Sequence, residues 1–169
     1  MTKPVDSEPL TNLPSHSQGT NGQATRINRR AESVLVLIMR CDGQTLMLER
    51  CGWPGFWQSV TGGIEWNEDQ DDAAARELLE ETGLYPTRLQ TRGVQRQFEI
   101  FPQYRHKYPA DIRFNREHEY IAHVDLDCSV RLDPSEHVAY RWVSIPEAIS
   151  MCLSWSNRLA LRNYYWESQ

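Results

Sequence analysis

Hydrophobic and polar positions change period several times along this chain, and each change marks an element. Residues 33–39, SVLVLIM, form an almost unbroken apolar, β-branched run, the pattern of a central strand buried on both faces. Asp42-Gly43 predicts a tight turn and residues 45–50 the returning strand. Residues 51–56, CGWPGF, are rich in chain breakers and read as a loop, and 57–61 as a short extended piece. The period then becomes helical. The spacing predicts a helix over 70–82, with Gly83 just past its last turn. Ala75, Leu78, Leu79 and Thr82 would share one side of it. Glu77, Glu80 and Glu81 would share the other, since positions three and four apart are helical neighbours. Residues 89–101 predict one or two strands, interrupted at Gly93 and stopped by Pro102. A polar, partly basic loop follows over 104–116, then strands over 120–126 and 139–143. Pro146 suits a first helical turn after Ser144, and 156–166 predict an amphipathic helix with Leu159, Tyr164 and Tyr165 among its apolar positions. Strands on both sides of a helix, followed by a further helix, give an α/β fold with a mixed β-sheet covered on two sides.

Composition places limits on this picture. The 169 residues suffice for one domain with a real core. Residues 1–28 are rich in Ser, Thr, Pro, Gly and Asn and predict a disordered tail, which leaves 29–169 as the domain. A formal net charge of −5 argues against a nucleic-acid partner, which calls for a basic footprint. Cys41, Cys51, Cys128 and Cys152 make no C-x-x-C pair or zinc spacing and read as thiols in a reducing compartment. No signal peptide or bilayer-length apolar run is evident, so a cytoplasmic protein without a membrane partner is expected. The histidines (His16, His106, His118, His123, His137) show no metal spacing and read as surface or core. No G-x-S-x-G elbow or Cys–His arrangement offers a nucleophile.

The chemistry lies in the acidic helix. Exposed like charges one turn apart oppose helix formation by roughly 0.2–0.5 kcal/mol per pair, and a helix's last turn favours cations. A local rule broken without visible compensation points to function. A bound cation is the simplest compensation, and oxygen-only donors suit Mg²⁺, with Mn²⁺ a possible substitute. A solvated acidic face is the alternative for any isolated run of this kind. Here, however, Gly62 is followed after five residues by Glu68, then after seven by Arg76-Glu77-Leu78, Glu80-Glu81 and Gly83-Leu84. This resembles the Nudix box, G-x5-E-x7-R-E-U-x-E-E-x-G-U with U a bulky aliphatic residue, at all nine constrained positions. The resemblance implies an α/β/α sandwich and a pyrophosphohydrolase acting on a nucleoside diphosphate linked to another moiety. It implies that Glu77 and Glu81 share a metal ion and that Arg76 and Glu68 support each other. Glu80 would bind metal or hold its water. Gly62 and Gly63 would shape a tight loop before the helix.

Further segments narrow the family. FWQSVTG (56–62), FEIF (98–101), RHKY (105–108), SEHVAYRW (135–142) and SWSNR (154–158) together resemble a Nudix subfamily, the bacterial dihydroneopterin triphosphate pyrophosphatases of folate biosynthesis. The likeness implies that Glu136 is a metal-binding glutamate outside the box. It places Arg29, Arg50, Thr61, Phe98, Glu99, Ile100, Phe101 and Ser156 at substrate-contacting positions. Arg29 stands where the family can carry lysine, and Gly63 where it has a small polar residue. Phe98 and Phe101 could wall a flat pterin, and Glu99 could accept from its ring N–H groups; without the family, Phe98, Ile100 and Phe101 would read as strand or core. Arg50 could pair with phosphate oxygens or simply be solvated. Arg105, His106, Lys107, Arg113 and Arg116 could form a basic rim or a solvated loop. Glu80 and Glu136 are both candidates for the general base. The expected reaction is Mg²⁺-dependent hydrolysis of dihydroneopterin triphosphate, a small-molecule substrate, to the monophosphate and pyrophosphate, with a monomer favoured. Alternatives are a pyrophosphohydrolase of dATP or oxidised dNTPs, and a non-catalytic nucleotide sensor.

Overall fold

The structure, a computed structural model, describes residues 29–169; the tail predicted over 1–28 lies outside them. Seven strands form one sheet: β1 (Glu32–Arg40), β2 (Gln44–Arg50), β3 (Trp57–Gln58), β4 (Val60–Gly63), β5 (Arg88–Glu99), β6 (Phe114–Val124) and β7 (His137–Ser144). The helices are α1 (Gln70–Thr82), α2 (Ile145–Met151) and α3 (Trp155–Glu167). β1 is central. It runs parallel to β6 along its whole length, while β4 pairs antiparallel with its first half and β2 with its end. β5 extends the sheet beyond β6, and β7 lies beside β2, so the sheet is mixed as predicted.

The apolar run of β1 builds both cores because successive strand residues point to opposite faces. Val34, Val36 and Ile38 pack with Leu46, Leu48 and Val60 beneath Ala73, Ala74 and Leu78 of α1. Leu35, Leu37 and Met39 pack with Met47, Ile121 and Val143 beneath Ala148 of α2 and Ala160 and Leu161 of α3. Full burial of each such large side chain favours folding by about 1.5–3 kcal/mol. The sequence pattern thus dictates three layers.

Several local expectations change. α1 has the predicted bounds but is rotated: Ala73, Ala74, Leu78, Glu81 and Thr82 are buried, while Ala75 and Leu79 face out. Two small alanines let the helix approach the sheet, and Glu81 comes inward with them. α3 likewise buries Ser156, Asn157, Ala160 and Leu161 and leaves Leu159 exposed. β5 is one strand whose register shifts between Thr91 and Gln95, around Gly93 at φ 68°. β6 starts at Phe114, well before the expected 120, so the predicted loop shrinks to a 3-10 turn over Pro102–Lys107 and a short connection. Its first residues look solvated in sequence, yet Asn115, Glu117, His118 and Glu119 are buried. Gly62 and Gly63 end strand β4 and have no left-handed φ; the turn into α1 is made at Asn67, φ 71°. All four cysteines are free. Among the described residues no helix is long and apolar enough to cross a membrane.

Candidate active site

The start and end of α1 are fixed by its own residues. The Asp69 side chain caps the N-terminus, accepting from the Asp71 and Asp72 amides, and Gly83 closes the C-terminus in the left-handed region. Arg76 then ties the helix to the preceding loop. Its Nε and Nη2 donate to the two oxygens of Glu68 at 2.7 and 2.9 Å, and Nη2 also reaches the Gly63 carbonyl at 2.9 Å. Nη1 donates to Glu77 at 2.7 Å and Glu80 at 3.1 Å. This fork holds the Glu68 carboxyl below the usual range. Arg30 grips the Glu68 carbonyl at 2.8 Å from the other side. The acidic ridge is therefore partly compensated by one guanidinium, which the spacing of the three glutamates alone does not reveal.

The two box carboxylates nearest the sheet are the unusual ones. Glu77 lies over Gly62 so closely that a Cβ there would stand 1.7 Å from its carboxyl carbon. Burial pushes the Glu77 carboxyl up to about 7; Arg76 pulls it down, and Glu81 and Glu80 push it further up. Glu81 is only 2% exposed. The His137 Nε2–H donates to its Oε2 at 2.9 Å, while its Oε1 has no partner among the described residues. Burial also raises the Glu81 carboxyl, and His137 opposes the shift.

Glu136 and His137 reach this point because the chain before β7 folds back on the end of α1. The Arg131 amide donates to the Thr82 carbonyl at 2.8 Å, and the amides of Glu136 and His137 both donate to the Asp133 carbonyl. Ligand atoms of Glu81, Glu136 and His137 lie within 4.8 Å of one another. His137 was expected among ordinary surface or core residues. Its signal was its place at the first position of a strand, directly after the glutamate assigned to metal. An unpartnered buried carboxylate oxygen with the Glu136 carboxylate beside it, and Glu77 on the same helix, fits a divalent cation.

The remaining candidates divide. Arg50 pairs with His137 in the sheet, and its charge reaches Glu81. The Arg29 amide donates to the Lys107 carbonyl at 3.0 Å. Burial, with Arg29 and Arg50 nearby, lowers the Lys107 ammonium. Three cations thus gather at one end of the site, and Lys107 is the rim residue that joins it. Arg105 instead donates to Glu99 at 2.7 Å, and Arg116 lies exposed on β6. Thr61 is half-buried on β4 and accepts from Gln58 at 3.3 Å. Phe98 is half-buried and Phe101 exposed at the end of β5, so both can flank a ligand. Ile100 is buried, its amide donating to the Arg113 carbonyl at 2.9 Å, and Glu99 is exposed and paired with Arg105. Ser156 is buried, with its hydroxyl 3.2 Å from that of Ser154 and near enough to Glu117 to oppose the upward shift of its carboxyl.

The NUDIX domain profile matches residues 29–164. The chain belongs to the Nudix family. Two Nudix relatives cover most of its length. Dihydroneopterin triphosphate diphosphatase of Haemophilus influenzae is 40% identical over 138 residues, 79% of this chain and 86% of the relative. That of Escherichia coli K12 is 35% identical over 144 residues, 82% and 95% of the two chains. The solved structure of the E. coli dihydroneopterin triphosphate pyrophosphohydrolase matches with a TM-score of 0.72 at 34% identity, covering 82% of this chain and 97% of that one. The Nudix box is the β4–α1 segment built around Arg76.

Protons and a cation compete for these carboxylates. Glu77 ionises more reluctantly in the folded chain than in the unfolded one, so its contribution to stability is present below the unfolded value of 4.5 and lost as pH rises through about 7. Glu81 and Glu117, also raised by burial, act with the same sign. The metal-free protein is expected to lose melting temperature between roughly pH 5 and 8, and Mg²⁺ to restore more at the upper end. Thermal melts in EDTA and in Mg²⁺ check this; a metal-free melting temperature that climbs across the window contradicts it.

Proposed function

We propose that residues 29–169 form a Mg²⁺-dependent hydrolase converting dihydroneopterin triphosphate to dihydroneopterin monophosphate and pyrophosphate. The 35–40% identity to two proteins named for that substrate, across most of both chains, carries the reading. Glu77, Glu81 and Glu136 would hold Mg²⁺, with Mn²⁺ a possible substitute and His137 fixing Glu81. When bound, the ion neutralises phosphate charge and polarises the phosphorus–oxygen bonds.

The chain's own groups do the rest. Arg29, Arg50 and Lys107 bind the phosphate tail, and their mutual repulsion in the free protein makes an anion welcome. Arg76 keeps Glu77 and Glu68 in place and orients the helix without touching substrate. Water adds to phosphorus, its proton passes to a carboxylate, and pyrophosphate leaves. Glu80 suits the proton: it is exposed, and Arg76 engages only its Oε2. Phe98 and Phe101 flank the ring, with Thr61 and Ser156 nearby. In this reading the protein works in the cytoplasm as a monomer on a small molecule.

Steady-state kinetics of the purified chain test the proposal. Dihydroneopterin triphosphate should exceed dATP in kcat/KM by about tenfold or more, the worth of one well-placed polar contact. Equal turnover of the two sinks the substrate reading and leaves a dNTP pyrophosphohydrolase. Absence of Mg²⁺-dependent pyrophosphate release with any triphosphate leaves a sensor.

A further inference from the structure

The β5–β6 half of the sheet carries buried charge on the face that α2 and α3 cover elsewhere. α2 packs against β2 and β7, and α3 against β1. Register identifies the residues that share this face. Leu35 belongs to the core under α2 and α3, so Ser33, two residues earlier, points the same way. Ser33 lies beside Glu117 on β6, Glu117 lies opposite Arg96 on β5, and Asn115 lies opposite Phe98. Asn115 donates to Ser33 at 2.7 Å. Glu119 and Glu117 are therefore neighbours on one side of the sheet, and both are more than nine-tenths buried.

Their partners differ. Glu119 accepts from Arg96 through its Oε2, and its Oε1, which makes no hydrogen bond among the described residues, is ion-paired with Arg92 at 3.1 Å, so its charge is met on both sides. Ser156 and the facing Arg96 pull the Glu117 carboxyl down against burial, but its Oε1 has no hydrogen-bond partner among the described residues. Buried carboxylate oxygens are nearly always hydrogen-bonded, so this one points to a donor brought from outside the chain. Ser156 belongs to the substrate-contact set, and the half-buried ring of Phe98 shares the face. Glu99, the carboxylate first assigned to the ring, faces solvent and Arg105.

We propose that Glu117 determines base specificity by accepting the adjacent ring N–H and amino donors of a 2-amino-4-oxopyrimidine edge. Pterins and guanine share that edge, and a carboxylate's two oxygens match its two donors. Adenine sets a ring-nitrogen acceptor beside its amino group, and a carboxylate repels that acceptor. The inference takes its ligand from the function proposed above, but its test reads Glu117 separately.

The test uses the full chain with Mg²⁺ and two substrates that differ by one amino group, dGTP and dITP. Wild-type kcat/KM is expected to favour dGTP roughly tenfold, and Glu117→Gln to narrow that ratio severalfold while lowering the dihydroneopterin triphosphate to dATP ratio roughly ten- to a hundredfold. Loss of folded protein lowers both rates together and cancels in each ratio, and the wild-type comparison needs no variant. A wild type that treats dGTP and dITP alike, or a glutamine variant that keeps both ratios, overturns the assignment and leaves solvent as the partner of that oxygen. Should the wild type lack any pterin preference while the dGTP to dITP ratio behaves as expected, Glu117 keeps its role and the substrate reading falls.

Discussion

Replacing Glu81 by glutamine is expected to lower kcat by roughly 10²–10³-fold, the scale for losing one preorganised charge-stabilising element, while making the metal-free protein more stable. The two effects share one cause. Glu81 is a carboxylate at 2% exposure, with one oxygen unpartnered and only His137 to offset its charge. Without a cation that charge opposes folding, and burial accordingly raises its carboxyl. Glutamine keeps the shape and an oxygen for His137, and removes the charge. Stability in EDTA near pH 8 should rise on the order of 1 kcal/mol, and the gain should shrink in acid, where Glu81 itself is neutral. Mg²⁺ should stabilise the wild type and leave the variant nearly unmoved. Urea melts with and without Mg²⁺, beside pyrophosphate-release kinetics, check both halves. A variant with near wild-type kcat, or one less stable than wild type in EDTA at pH 8, contradicts a site strained for metal.

How much of this was legible in the sequence depends on whether a residue acts through local spacing or through tertiary pairing. The bounds of α1 and its box follow from helical period and caps, which are local, and they match the fold to the residue. The rotation of α1 was not legible, because Ala74 and Leu79 differ little in hydrophobic pattern and only the space above the sheet decides which turns inward. β6 was half-read for a related reason. Asn115, Glu117, His118 and Glu119 lack the apolar signature of a strand, yet β5 and β1 bring them partners: Arg92 and Arg96 for Glu119, Ser33 for Asn115, and Glu32 for His118 at 3.2 Å. Charge pairing across strands leaves no mark in a one-dimensional pattern. The same limit applied to His137, whose proximity to Glu81 spans 56 positions. Glu99 shows the limit from the other side: its place in FEIF suggests a ring contact, while alternation along the strand turns it outward, where Arg105 pairs with it.

Gly62→Ala is expected to remove most activity, about 10²-fold or more, whereas Gly63→Ala should stay within about threefold of wild type. Composition gives no reason to separate two adjacent glycines; geometry does. A Cβ on Gly62 would meet the Glu77 side chain at 1.7, 2.1 and 2.2 Å, while one on Gly63 meets nothing within 4 Å. Neither position needs a left-handed φ, so the requirement at Gly62 is close approach alone. The backbone cannot retreat. Gly62 is paired with Val34 on β1, and the next carbonyl is held by Arg76. Glu77 must therefore swing away, giving up its 2.7 Å bond to Arg76 and its place beside Glu81. Overpacking of this kind also costs about 1–3 kcal/mol of stability. A double-mutant cycle isolates the cause. In a Glu77→Ala background the clashing atoms are gone, so adding Gly62→Ala should change kcat by less than about threefold and stability by less than about 0.5 kcal/mol. If the two substitutions instead multiply, Gly62 serves the site by some route other than clearing room for the Glu77 carboxylate.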